Sequence, residues 1–116
     1  MFEKLLEQAK KVQEAGAFSV TLEAVPSKLA TLITQQLDIP TIGIGAGNGC
    51  DGQVLVNQDM LGTFSDFTPK FVKRYANVGR TMKRAYRAYI ADVQSGAFPA
   101  KENEYNVDDS IIEKLY

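Results

Sequence analysis

The chain has 116 residues, is 45% hydrophobic and 23% charged, and carries a formal net charge of −1. This is an ordinary globular composition with apolar material for one core. Histidine is absent, which excludes Ser-His-Asp triads, Cys-His pairs and His-ligated metals from this chain and leaves acid–base chemistry to Asp, Glu, Lys, Tyr or Cys. The single cysteine, Cys50, rules out an intrachain disulfide framework and fits a reducing compartment, so the expected location is the cytoplasm. No apolar run approaches the ~20 residues that span a bilayer, so no membrane association is expected. The N-terminus enters an amphipathic pattern directly, and no signal peptide is read there.

In chain order, residues 2–15 place Phe2, Leu5, Leu6, Ala9 and Val12 at helical spacing, and Gly16 follows as a left-handed cap. Ala17 to Glu23 alternates, with Phe18, Val20 and Leu22 on one face and Ser19, Thr21 and Glu23 on the other, which predicts a strand. Pro26 suits the first turn of a second helix with Leu29, Ile33 and Leu37 on its apolar face. Thr41–Ile44 predicts a second strand, Gly45–Gly49 a glycine-rich loop, and Val54–Asn57 a third strand. From Pro69 onward the pattern predicts helix, in one stripe of Phe71, Val72, Tyr75 and Val78 and a second of Met82, Ala85, Tyr86, Tyr89, Ile90 and Val93, with a break at Gly79. Gly96 and Pro99 end the helical region, and a polar, acidic tail follows from Lys101. Strands alternating with helices predict parallel βα units and an α/β class.

Glu23 is the candidate catalytic residue. It lies at the C-terminal end of the first strand, where parallel α/β folds build their active sites. A carboxylate at a barrel mouth, shielded from water, can remove a carbon-bound proton. A solvated strand-end glutamate, or one capping the helix at Pro26, fits the same pattern. The run Ile42–Gly47 is not a dinucleotide fingerprint, because its glycines read G-x-G-x-G and no helical stripe or suitably placed acid follows. Its glycines instead suit close backbone approach around a cavity. Asp51, before Gly52, reads as a turn residue, and Asp59 as the cap of a turn through Gly62. Cys50 has no base beside it to make it a nucleophile. Lys70, Lys73, Arg74, Arg80, Lys83, Arg84 and Arg87 form a basic run. With the net charge at −1 and no reader motif, the run reads as a solvated face and no nucleic-acid partner is expected.

Two strings, Gly16–Pro26 (GAFSVTLEAVP) and Ile39–Asn48 (IPTIGIGAGN), resemble the ketopantoate hydroxymethyltransferase family. The likeness continues through Asp51–Val56, Asp59 and Pro69–Phe71 to Ser95–Pro99. It implies that residues 1–100 are the C-terminal portion of a TIM (β/α)₈ barrel, about its last three βα units with C-terminal helices. Residues 101–116 would then be a polar acidic tail with a short helix at its end. The family transfers a one-carbon unit from 5,10-methylenetetrahydrofolate to 3-methyl-2-oxobutanoate, giving 2-dehydropantoate for coenzyme A synthesis. In it Mg²⁺ chelates the keto acid and a glutamate, matched here by Glu23, takes the proton beside the ketone.

The family's metal-binding acids and substrate lysine belong to first strands that nothing here matches, and the histidine usual before the aspartate is Gln58 here. The chain alone is therefore expected to be inactive. With two raw sheet edges and an open lumen face (Ser19, Thr21, Gly43, Gly45 and Asn57), it is expected to self-associate or to pair with the missing half, as a homo-oligomer. Two other readings fit the α/β pattern. One is a non-catalytic half-barrel binding module; the other is a Mg²⁺-dependent keto-acid enzyme of the phosphoenolpyruvate mutase-like group.

Overall fold

A computed structural model describes residues 1–63 and 66–116. They form two compact units, Met1–Asn77 and Val78–Tyr116. The first is a small α/β unit. Helix α1 (Phe2–Glu14) leads into strand β1 (Val20–Glu23), helix α2 (Ser27–Gln36), strand β2 (Thr41–Ile44), strand β3 (Gly52–Gln53) and the one-turn helix α3 (Asn57–Met60). The three strands pair in the order β1-β2-β3, all parallel.

The helix face of the sheet carries the core. Leu22, Ala9 of α1, Ala30 and Ile33 of α2, Leu37 and Ala46 are buried together, with Leu6, Val20, Leu29 and Cys50 packed against them. The predicted α1 stripe is only half used: Ala9 is buried, while Phe2 is 56% and Val12 39% exposed. Gln13 fastens the end of α1 to the α2–β2 turn, its Oε1 accepting from the backbone N–H groups of Asp38 (2.6 Å) and Ile39 (3.2 Å).

Thr41 is the buried polar anchor of the sheet. It is fully enclosed, and its Oγ1 lies 2.7 Å from Oγ1 of Thr34 on α2. Asp51 completes the network: its Oδ2 accepts from the Thr41 N–H at 2.8 Å, and its own N–H donates to Thr41 Oγ1 at 3.2 Å. A buried donor left without an acceptor is costly, so this carboxylate ties the loop after β2 back to the strand's first residue.

That tie corrects the third strand. The sequence places it at Val54–Asn57; the structure places it at Gly52–Gln53, opposite Ile42 and Gly43. Asp51, held on Thr41, fixes where pairing begins. Pairing fades after the Val54 N–H bonds the Gly43 carbonyl at 3.0 Å, and Asn57 already opens α3. The first strand is likewise shorter than predicted. Ala17–Ser19 lie outside it, and Phe18 is 89% exposed.

The helix predicted from Pro69 is not formed over 69–77. That segment folds back on α3, where Tyr75 N–H bonds the Met60 carbonyl at 2.9 Å. Gly62, at φ 66°, is packed so closely that a Cβ there would meet the Ala76 carbonyl oxygen at 2.6 Å. Asp59 lies within α3 instead of capping a turn; its backbone carbonyl accepts from Gly62 N–H.

The second unit is built on α4 (Val78–Ser95), a short 3₁₀ turn (Lys101–Asn103) and α5 (Asp109–Glu113). Gly79 does not break α4; it sits in its first turn, where no preceding turn is yet laid down and the cost of glycine is small. The apolar stripe is present, but Met82, Tyr86, Tyr89, Ile90 and Val93 are each at least 41% exposed. Arg80, Lys83, Arg84 and Arg87 are exposed, as a solvated face requires. Asp108 caps α5 by accepting from Ser110 N–H at 2.9 Å. Hydrogen bonds from the Ser110 side chain and backbone hold the Asp108 carboxyl below the usual carboxylate range. Among the described residues no helix is long and apolar enough to cross a membrane.

Candidate functional site

Glu23 is the last residue of β1, opposite Ile44 of β2. Leu22 turns into the core, so alternation sends Thr21 and Glu23 to the other face of the sheet, where both are exposed. The register corrects the residues expected beside them. Thr21 pairs with Ile42 and Glu23 with Ile44, whereas Gly43 pairs with Leu22 on the core side. The open face is therefore more apolar around Glu23 than the sequence suggests. Glu23 does not cap α2 either: Pro26 is the N-cap residue and no side chain caps that helix.

Immediately after Glu23 the backbone turns left-handed at Ala24, φ 53°, the one non-glycine residue with positive φ among the described residues. The Ala24 N–H still bonds the Ile44 carbonyl at 2.9 Å. A left-handed non-glycine residue costs on the order of 1 kcal/mol and persists where its surroundings fix it. Here it ends β1 abruptly and leads the chain into α2, leaving Glu23 on the strand's last regular position.

Beside this turn lies a cleft of about 640 Å³ between the β1–α2 and β2–β3 connections, walled by Val25, Pro26, Gly45, Gly47, Lys70 and Phe71, among others. Two glycines set its shape. A Cβ on Gly45 (φ 65°) would lie 2.7 Å from Cδ1 of Phe71, and one on Gly47 (φ 77°) would lie 2.5 Å from Ser27 Cβ. The glycine loop therefore allows close approach, as its composition predicts. Gln53 holds it from inside, Nε2 donating to the Gly47 carbonyl at 2.8 Å. Gly45→Ala is expected to push the Phe71 ring out of the cleft, visible as loss of ring-current shifts at residue 45 in NMR spectra; an unchanged ring position would refute the packing argument.

Sequence reasoning does not find Phe71 and Lys70 as neighbours of the strand ends. Phe71 falls at helical spacing with Val72 and Tyr75, and only the fold-back of 69–77 brings it over Gly45. Cys50 has a structural place: it is half-buried, packs against the core, and its Sγ stands 3.0 Å from where a Cβ on Gly43 would be. Among the described residues, no group of three or more His, Cys, Asp or Glu is placed to hold a metal ion.

The sequence profile of ketopantoate hydroxymethyltransferase matches residues 1–101. The chain belongs to the ketopantoate hydroxymethyltransferase family. It is 61% identical over 114 residues to 3-methyl-2-oxobutanoate hydroxymethyltransferase of Clostridium novyi (strain NT), which covers 98% of this chain and 42% of that protein. It is 58% identical over 113 residues to the protein of the same name from Enterococcus faecalis (97% of this chain, 41% of that protein). The corresponding figure for Clostridium acetobutylicum is 55% over 112 residues. The chain thus spans about two fifths of the length of the curated relatives it matches. The small parallel sheet with helices agrees with a partial barrel of the ketopantoate hydroxymethyltransferase family, and the phosphoenolpyruvate mutase-like alternative falls away.

Proposed function

We propose that residues 1–100 are the C-terminal portion of a TIM-barrel hydroxymethyltransferase, contributing about its last three βα units, with 101–116 as a polar tail. The complete protein transfers a one-carbon unit from 5,10-methylenetetrahydrofolate to 3-methyl-2-oxobutanoate, giving 2-dehydropantoate, in the cytoplasm. Glu23 is the base. The observation that carries this reading is its position: the exposed last residue of a parallel strand, alternating with the core-facing Leu22.

The chemistry follows from the substrate. Carbon 3 of 3-methyl-2-oxobutanoate bears one hydrogen, acidified by the neighbouring ketone. The Glu23 carboxylate accepts that proton, and the enolate carbon bonds to the folate-borne methylene carbon. Both of that carbon's C–N bonds are broken over the reaction, one water supplies the new hydroxyl, and tetrahydrofolate leaves. Ile44 stands beside Glu23 across the strand pair. Among the described residues no cluster of acids fits the family's Mg²⁺. In the complete enzyme its ligands and the substrate lysine come from the first strands of the barrel.

The chain alone is then a base without the rest of its site. Purified by itself it should form no 2-dehydropantoate from the two substrates, while the complete protein should. Product from the isolated chain would refute the incomplete-site reading, and none from the complete protein would refute the function.

The sheet supports association. β1 is an open edge, and a groove of about 260 Å³ runs along it, with Leu5 and Val12 of α1 and Val20 of β1 among its walls. Unpaired edges beside apolar walls seek partners. Sedimentation of the chain should show a homo-oligomer; a well-folded monomer at working concentration would contradict this.

A further inference from the structure

The cleft beside the Glu23 turn has a chemistry that proton transfer does not use. Its walls are largely apolar, contributed by Val25, Pro26 and the Phe71 ring, and the glycine backbone at 45 and 47 leaves it open. Phe71 is 39% exposed, so its ring is available to a ligand while it rests on Gly45. Among the described lining residues Lys70 carries the single charge, and it is exposed. Asn48 adds an amide at the wall, whereas the Gln53 amide nitrogen is already engaged by the Gly47 carbonyl. Apolar walls with an aromatic ring and one cation suit a flat aromatic ligand that bears a carboxylate. They do not suit a small aliphatic keto acid, which has no ring to set against Phe71.

We infer that this cleft binds the one-carbon donor through its p-aminobenzoyl-glutamate arm, the aryl ring against Phe71 and a carboxylate on Lys70. The choice of this arm as occupant rests on the function proposed above. Ala24 belongs to both places: it lines the cleft and directly follows Glu23. Held there, the arm anchors the donor beside the strand end that carries the base. Lys70 and Phe71 are thus binding residues for the donor and take no part in the proton transfer.

The test is an NMR titration of the isotope-labelled chain with p-aminobenzoyl-glutamate and, separately, with its uncharged analogue 4-aminobenzamide. Saturable shifts are expected at the amides of Gly45, Gly47 and Phe71 with the first ligand. Lys70→Gln should weaken binding about fivefold, the worth of one exposed charge pair, and Lys70→Arg should restore it. Phe71→Leu should weaken binding of both ligands. No saturable shift at the cleft, equal binding of the uncharged analogue, or affinity unchanged in Lys70→Gln would each overturn the inference. Binding is read here without turnover. A silent cleft therefore leaves Glu23 as the base, and a failed base leaves the cleft's preference for aromatic carboxylates in place.

Discussion

Glu23→Gln, placed in the enzyme completed by the rest of its barrel, should lower kcat by about 10²–10⁴-fold, the usual contribution of a positioned base. Glutamine keeps the shape and polarity of the side chain and loses only the capacity to accept a proton. KM for both substrates should therefore change little, because the interaction lost is one made in the transition state. Glu23→Asp should fall between: the carboxylate remains but is withdrawn by one methylene from the carbon it must reach. Glu23 is exposed on β1, so the substitution leaves the core intact and circular dichroism of the variant should match the parent. Steady-state kinetics decide the matter. A kcat within a few-fold of the parent would mean that Glu23 is a solvated strand-end residue.

The second large effect is on stability. Thr41→Val keeps the volume of a fully buried side chain but removes the hydroxyl that meets Thr34 Oγ1 and accepts from Asp51 N–H. Thr34 Oγ1 keeps its bond to the Ala30 carbonyl, but the Asp51 N–H loses its acceptor, which should cost about 1–3 kcal/mol. For a unit of this size that is a fall in Tm of about 4–8 °C per kcal/mol. Asp51→Ala strips the acceptor from the Thr41 N–H and should cost a similar amount, whereas Asp51→Asn keeps an oxygen there and should cost less. Thermal melts of the three variants check the ordering. Equal melting temperatures in Asp51→Ala and the parent would show that the network does not hold β2 to β3.

How much of this is legible in the sequence depends on the range of the interactions involved. Helices α1 and α2 and the strand ends at Glu23 and Ile44 follow from local periodicity, because their apolar faces meet one another within a short stretch of chain. The third strand is not legible. Val54 and Val56 have the better strand propensity, yet pairing begins at Gly52 because Asp51 is fixed on a threonine ten positions earlier. The segment 69–77 has helical spacing and is drawn instead onto Met60 and Gly62 by backbone contacts that no periodicity encodes. Of the candidate site, Glu23 is legible as a proposed base from its strand-end position and from the family likeness. Its neighbours Ile42 and Ile44 need the strand register, and the Lys70–Phe71 wall needs the fold-back.

The most direct test of the central claim joins this chain to the complementary N-terminal portion of a close relative, such as the Clostridium novyi protein. Deuterium exchange at carbon 3 of 3-methyl-2-oxobutanoate is then followed by NMR, with no folate present. Exchange reports proton removal alone, apart from carbon transfer. Exchange is expected from the joined parts, none from either part separately, and none when the chain carries Glu23→Gln. Exchange that persists at the parent rate in Glu23→Gln would contradict that claim.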